Sequence, residues 1–202
     1  VSVLQLYLMA EAGRLAEKQT QWQAALGCYR RAYELASAEG DEASSLYFAT
    51  HVGRLGVRAH APSKSVSILE TAIEKAANAG DQGLHANLLQ LLGRSLAIQG
   101  SKSRARQVTE QALELAETRG DLRLRFETAK ALGFVLYYGD DFADAVGAFE
   151  QCIDVATKLR DDVEVAMNTY NVADSSLHSG DWKKSLEFAN RTVQACEGRE
   201  KL

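Results

Sequence analysis

Three stretches of the chain align without a gap: GDEASSLYFATHVG at 40–53, GDQGLHANLLQLLG at 80–93 and GDLRLRFETAKALG at 120–133. Each begins with Gly-Asp, ends with glycine and starts 40 residues after the one before. Gly13 aligns with the final glycine of these stretches one period earlier. One period later, Arg160-Asp161 aligns with the Gly-Asp pairs and Ala173 with the final glycine. A fixed period of this length indicates a repeat architecture. The alignment predicts one domain of five units, at 1–40, 41–80, 81–120, 121–160 and 161–202.

Each unit is predicted to contain two helices. In the second half of a unit the apolar residues are spaced by three and four, as in Ala25, Tyr29 and Ala32, which is a helical stripe. The Gly-Asp pair suits a helix junction, because glycine adopts the left-handed C-cap and aspartate accepts hydrogen bonds from the free N–H groups of the next helix. Since one helix pair cannot bury its apolar face alone, the units are expected to stack.

These residues resemble the tetratricopeptide repeat family. The fourth unit carries Leu132-Gly133 and Leu136 in its first helix, then Ala145, Phe149 and Cys152 in its second. The period is 40 residues rather than roughly 34, and Gly-Asp replaces the usual closing proline. In both respects the chain is similar to the long variants of kinesin light chains, LGN-like scaffold proteins and bacterial signalling regulators. The resemblance implies an all-α, right-handed α-solenoid of five helix-turn-helix repeats with about ten helices. HEAT or armadillo repeats have a similar period, but the glycine and alanine columns favour the tetratricopeptide interpretation.

The resemblance also implies that the first helices line a concave groove that binds ligands. The positions six and three residues before the glycine column, and one and four residues after it, form a stripe on one face of each first helix. This stripe, together with residues one helical turn further along the same helices, predicts a binding surface. The surface is basic in its N-terminal half and aromatic in its C-terminal half. The candidate residues are Arg14, Lys18, Arg54, Arg58, Asn87, Gln90, Arg94, Lys130, Phe134, Tyr137, Tyr138 and Tyr170.

Two interpretations of this surface stay open. In one, Arg14, Arg54 and Arg94 hold carboxylates of a peptide ligand, because guanidinium groups contact carboxylates in a bidentate manner. In the other, the arginines pair with Glu17, Glu127 or Asp174 inside the stack, and such surface pairs contribute little. The same two interpretations are open for the adjacent residues Tyr137 and Tyr138: both contact a ligand, or one of them packs on the fifth unit.

Composition narrows the choice of partner. The formal net charge of −4 argues against a nucleic-acid partner, and the apolar runs are too short to cross a membrane. The N-terminus carries no secretory signal, and the three cysteines have no pairing pattern, so we expect a reduced, cytoplasmic protein. The cysteines are Cys28, Cys152 and Cys196. Because the chain starts at Val1, it is expected to be part of a longer protein.

The sequence contains no motif for catalysis. Its four histidines show no metal-ligand spacing, and no glycine-rich phosphate loop is present. We therefore expect no enzyme, no metal and no cofactor. The sequence predicts a protein-interaction module that binds a peptide or partner protein, acidic with apolar side chains, as the sensor or scaffold part of a signalling protein. The alternative is a structural array that self-associates through its terminal repeats or packs on a neighbouring catalytic domain.

Overall fold

The computed structural model describes residues 3–197, and its side chains to residue 195, so the predicted reduced state of Cys196 lies outside the described part. Within this range there are ten α-helices and no strand. Two successive helices form each unit, as the sequence predicts. The helices are α1 (Val3–Lys18), α2 (Trp22–Ala38), α3 (Glu42–Arg58), α4 (Ser63–Asn78), α5 (Gln82–Ile98), α6 (Lys102–Arg119), α7 (Leu122–Tyr138), α8 (Phe142–Lys158), α9 (Asp162–Ser179) and α10 (Trp182–Glu197).

Aspartates at five helix junctions cap the helices that follow them. Asp41 accepts a hydrogen bond from the backbone N–H of Ser44 at 3.0 Å, and Asp81 accepts one from Leu84 at 2.9 Å. Asp121, Asp161 and Asp181 do the same at the same offset of three residues. A cap of this kind stabilises a helix by about 1 kcal/mol. The predicted helix starts are therefore confirmed at these five positions.

A residue with left-handed backbone recurs every 20 residues, twice as often as the sequence repeat. In the Gly139-Asp140 turn the positive φ of 66° belongs to Asp140, whereas Gly139 has a φ of −80°. Each unit therefore consists of two halves of equal length with the same kind of turn. The left-handed residues are Thr20, Gly40, His60, Gly80, Gly100, Gly120, Asp140, Arg160 and Gly180.

The internal glycine column serves close packing between the two helices of a unit. A Cβ placed on Gly133 would lie 2.6 Å from Cε1 of Phe149, and one on Gly13 would lie 2.9 Å from the ring of Tyr29. Real Cβ atoms do not approach so closely, so only glycine lets the large side chain of the second helix lie flat against the first.

The centre of the solenoid is its most buried part. In α5 the side chains of Leu88, Leu89, Leu91, Leu92 and Leu96 are all buried. The helix packs directly against α3 and α7 as well as against its neighbours α4 and α6. Second helices contact chiefly first helices, so the first helices form the tighter, inner layer. Within residues 3–197, no helix combines the length and hydropathy that a bilayer crossing needs.

Candidate binding groove

A cavity of about 630 Å³ opens on the inner layer, between the first helices of the second to fifth units. We call it the groove. It brings together seven of the predicted residues, so much of the predicted stripe lies along one cavity. The groove is lined by Arg54, Arg58, Arg94, Arg123, Glu127, Lys130, Phe134, Tyr137, Tyr138, Phe149, Glu164, Met167, Asn171, Asp174 and Ser175.

The N-terminal end of the inner layer is held by a cluster around Glu17. Nη2 of Arg54 lies 2.6 Å from Oε2 of Glu17 and 3.1 Å from Nδ1 of His51. The ring of His51 stacks on that of Tyr29 with 4.5 Å between centroids. Burial raises the pKa of Glu17, but the hydrogen bond and charge of Arg54 outweigh it, so the net pKa is lowered. Burial, followed by the charge of Arg54, lowers the pKa of His51. Arg54 is therefore engaged within the stack.

Arg94 occupies the same column as Arg54 but has a different environment. Its Nε is buried and has no hydrogen-bond partner, and the guanidinium makes no ion pair with the residues described here. Cζ lies 4.9 Å from the centroid of the Phe134 ring, within the range of a cation–π contact. Burial lowers the pKa of Arg94, and the charge of Glu127 only partly opposes this effect. Arg94 thus has no direct ion-pair partner among the described residues, and Glu127 compensates its charge only in part.

The cationic side chains between α7 and α9 form ion pairs with acidic residues. Nζ of Lys130 lies 2.9 Å from Oε1 of Glu164 and 3.5 Å from Oε2 of Glu127. Arg123 pairs with Glu127 at 3.0 Å and with Asp161 at 3.2 Å. These contacts join the fourth unit to the fifth, so Lys130 lines the groove with its charge already matched.

The aromatic half of the groove contains one packed and one open tyrosine. Tyr137 packs edge-on against His178 of α9 at 5.7 Å, and its pKa is raised to about 12 by burial and by its interaction with Asp174. Tyr138 is 42% exposed and packs against Phe134 with 4.4 Å between ring centroids and an interplanar angle of 30°. Tyr137 is therefore the tyrosine that packs on the fifth unit, and Tyr138 is the one free to meet a ligand.

Five predicted residues lie outside the groove lining. Arg14 is exposed and pairs within its own helix with Glu11, while Lys18 is exposed at the end of α1. Tyr170 is exposed on α9 beside the groove. Gln90 and Asn87 differ most from expectation. Gln90 is only 5% exposed and donates a hydrogen bond to Asn87 at 3.0 Å, because α5 is enclosed by α3 and α7 and its stripe is covered there.

Several lining residues were missed by the sequence stripe. Phe149 reaches the groove from the second helix of the fourth unit, past Gly133. Asn171 and Ser175 lie on α9 but off the stripe, and the buried Oγ of Ser175 has no hydrogen-bond partner. The Gly133 and Phe149 columns, read together, were the available signal for the first of these.

The described residues contain no group of three or more histidine, cysteine or acidic side chains placed to hold a metal ion. Of the two cysteines whose side chains are described, Cys152 is buried and Cys28 half-buried, and both are free. Burial raises the pKa of the Cys152 thiol to about 12, which favours the protonated thiol over the reactive thiolate at neutral pH.

The architecture defines the class: the chain has the fold of a tetratricopeptide-repeat solenoid, as its sequence resemblance implies. No family model matches it, and no curated protein matches it in sequence. Among solved structures, a Rap protein complexed with competence and sporulation factor aligns with a TM-score of 0.84 at 16% identity, over 98% of this chain and 55% of that one.

Two further structures have the same fold. A putative kinesin light chain from Podosopora anserina with nearly identical repeats aligns with a TM-score of 0.76 at 15% identity, over 98% of this chain and 97% of that one. Aspartyl phosphate phosphatase F from Bacillus subtilis aligns with a TM-score of 0.81 at 13% identity, over 99% of this chain and 52% of that one. The chain thus spans about half the length of the Rap protein and of the phosphatase.

Proposed function

We propose that this domain is a protein-interaction module that binds a polypeptide in the groove and performs no catalysis itself. The observation that carries the proposal is the groove, where an unpaired arginine and exposed apolar side chains converge. Its volume of about 630 Å³ is typical of a specific ligand site, which covers roughly 300–1,000 Å³.

Exposed apolar side chains at the groove support a polypeptide ligand. Tyr138 is 42% exposed and Met167 is 56% exposed, and both line the cavity. Aromatic residues and methionine are enriched in protein interfaces, where they supply much of the buried area. The Rap protein of the same fold was solved as a complex with competence and sporulation factor, which supports a binding role for the architecture.

The proposal extends to the setting of the domain. We place it in the cytoplasm, as the sensor or scaffold part of a larger regulatory protein. A signal-transduction ATPase from Pyrococcus horikoshii with a tetratricopeptide repeat sensor shares the fold, with a TM-score of 0.72 at 14% identity. The chain covers 28% of that protein, so a repeat array of this size accompanies other domains there.

The test compares two exposed tyrosines on first helices. Tyr138 lines the groove, whereas Tyr47 on α3 does not and is similarly open at 57% exposure. Peptides are selected from a displayed random dodecapeptide library against the wild-type domain, and their Kd values are measured by fluorescence anisotropy. We expect Tyr138→Ser to weaken binding by about tenfold, or about 1.4 kcal/mol, and Tyr47→Ser to leave it unchanged. Equal Kd values for both variants and the wild type would contradict binding in the groove.

A second candidate function is self-association or packing on a neighbouring domain. On α10 the large side chains of Trp182, Leu186 and Val193 are each more than half exposed and follow one face of the helix. Apolar faces of this kind mark interaction sites. Sedimentation velocity of the isolated domain tests this candidate. A sedimentation coefficient that rises with concentration, and stays constant for Leu186→Ser, supports it, while a constant monomer for the wild type excludes self-association.

A further inference from the structure

Arg94 is set apart from the other arginines of its column by its lack of a counter-ion. Arg14 pairs with Glu11 and Arg54 pairs with Glu17. Arg94 forms no ion pair in the described part of the chain, and its buried Nε donates to no acceptor. An unsatisfied buried donor on a charged group is rare in proteins and costly to maintain, so it calls for an explanation. A ligand acceptor in the groove supplies one.

Phe134 holds this guanidinium in a defined position. Cζ of Arg94 lies 4.9 Å from the centroid of the Phe134 ring, and that ring is supported by Tyr138 with 4.4 Å between centroids. A guanidinium held by an aromatic ring loses less conformational freedom on binding than a free side chain does. The arrangement therefore resembles a preformed anion site more than a solvated surface charge.

A second unpaired cation lines the same cavity. Arg58 of α3 contacts the Trp22 ring at 5.1 Å and makes no ion pair with any described residue. Burial is the largest cause of the lowered pKa of Arg94, and the charge of Arg58 lowers it further. Two cations that oppose each other in this way would both be stabilised by one anion placed between α3 and α7.

Apolar side chains line the same cavity as the two arginines, and we call the place where they meet the recess. The recess lies between α7 and α9, where Tyr137, Met167 and the buried ring of Phe149 line the cavity. Polar side chains share this wall: Asn171, Asp174 and Ser175. Phe134 borders both the recess and Arg94, so a ligand that fills one lies beside the other. The acidic residues Glu127, Glu164 and Asp174 line the same cavity, and their charge disfavours a doubly charged phosphate relative to a carboxylate.

We infer that Arg94, with Arg58, binds a carboxylate of the polypeptide ligand, while a neighbouring apolar side chain of that ligand enters the recess between α7 and α9. The inference rests on the proposed function and narrows it to an acidic, apolar motif. The carboxylate comes either from an aspartate or glutamate side chain or from the C-terminus of the ligand.

The experiment is a double-mutant cycle on a selected peptide. Random dodecapeptides are selected on the wild type, and their binding is then measured to the wild type, Arg94→Gln and Arg14→Gln. Arg14→Gln is the matched control, because it alters an arginine of the same column outside the groove. The best wild-type peptide is then synthesised with each acidic residue changed to its amide, and with a free or amidated C-terminus. Circular dichroism and thermal unfolding verify that each variant folds. A further variant, Arg94→Lys, keeps the positive charge but lacks the planar guanidinium group.

We expect one acid-to-amide change to weaken binding to the wild type and to Arg14→Gln by tenfold or more, and binding to Arg94→Gln by less than threefold. The same amide change should weaken binding to Arg94→Lys by an amount between these two values. Sensitivity to the C-terminal amide instead of a side-chain amide assigns the carboxylate to the peptide terminus. Equal losses on the wild type and Arg94→Gln overturn the carboxylate site but leave groove binding intact. If no selected peptide is weakened by Tyr138→Ser, the proposed function fails and the inference fails with it.

Discussion

The two halves of the inner layer use the same residue type for different ends. In the N-terminal half, Arg54 is bound to Glu17 and His51, and the cluster fastens α3 to α1. In the central part, Arg94 has no such partner and lies on an aromatic ring at the edge of an open cavity. A repeated residue in a repeat protein therefore does not have a repeated environment. The two arginines differ in whether a neighbouring unit supplies a counter-ion.

The largest expected effect concerns the glycine that lets Phe149 reach the groove. In Gly133→Ala the new Cβ meets three atoms of the rigid, buried ring of Phe149 at 2.6–2.9 Å. Overpacking costs about 1–3 kcal/mol, while alanine regains up to about 1 kcal/mol of helix propensity. We expect a net loss of about 1–2 kcal/mol in the free energy of unfolding, measured by urea denaturation.

The matched control is Gly53→Ala in the N-terminal half. Its Cβ would meet the two terminal methyls of the flexible but buried Leu69 side chain at 2.8 and 3.2 Å, and Cβ of Leu91 at 3.2 Å. Helix propensity then roughly balances the steric cost, and we expect stability within about 1 kcal/mol of the wild type. If the two substitutions have equal effects, the fourth unit is not packed more rigidly than the second.

The next effect separates the two arginines directly. Arg54→Gln removes the charge that balances the partly buried Glu17 and should lower the free energy of unfolding by about 1 kcal/mol, a value discounted for partial solvent exposure. Arg94→Gln removes an unpaired, largely buried cation and should leave stability unchanged or raise it. Urea denaturation of both variants at pH 7 decides the point. A greater loss for Arg94→Gln than for Arg54→Gln would reverse the assignment of roles.

The smallest effect is a dependence on pH. Burial lowers the pKa of His51 below its ordinary value of about 6.5, so between these two values the unfolded chain binds a proton that the folded chain does not. His51 therefore contributes stability fully above about pH 6.5, and this contribution is lost as the pH falls towards the lowered pKa of the folded state.

The measurement is urea denaturation at pH 7.5 and pH 5.5. From pH 7.5 to pH 5.5 we expect the free energy of unfolding to fall further in the wild type than in His51→Gln. The difference between the two falls should be below about 1 kcal/mol. His85→Gln serves as a comparison, because burial also lowers the pKa of His85 but no cluster of charges surrounds it. If His51→Gln has the same pH dependence as the wild type, folding does not shift the pKa of His51.

The sequence specified the helices more completely than the binding surface. Gly-Asp pairs fixed the helix starts because a capping aspartate is a local signal, readable within four residues. The half-length period was hidden because Thr20, His60 and Asp140 adopt the left-handed conformation without being glycine. Here the stacking of the helices determines the turn, and the residue type does not reveal it.

The binding surface depended on contacts between units, which a single helix pattern does not contain. The pairing of Arg54 with Glu17 joins residues 37 positions apart, and the burial of Gln90 follows from the enclosure of α5 by two neighbours. The arginine column itself was visible in the sequence. Which arginine lacks a partner became visible only once the units were stacked.

The most direct test of polypeptide binding in the groove uses the two methionines of the chain. Met167 lines the groove, while Met9 lies half-buried on α1 against the core of the first unit. With ¹³C-labelled methionine methyl groups, NMR gives one signal for each, and a peptide selected from the library is titrated in. Binding in the groove predicts that the Met167 signal shifts in a saturable manner while the Met9 signal stays in place. A saturable shift of Met9 alone, or binding that moves neither signal, would contradict it.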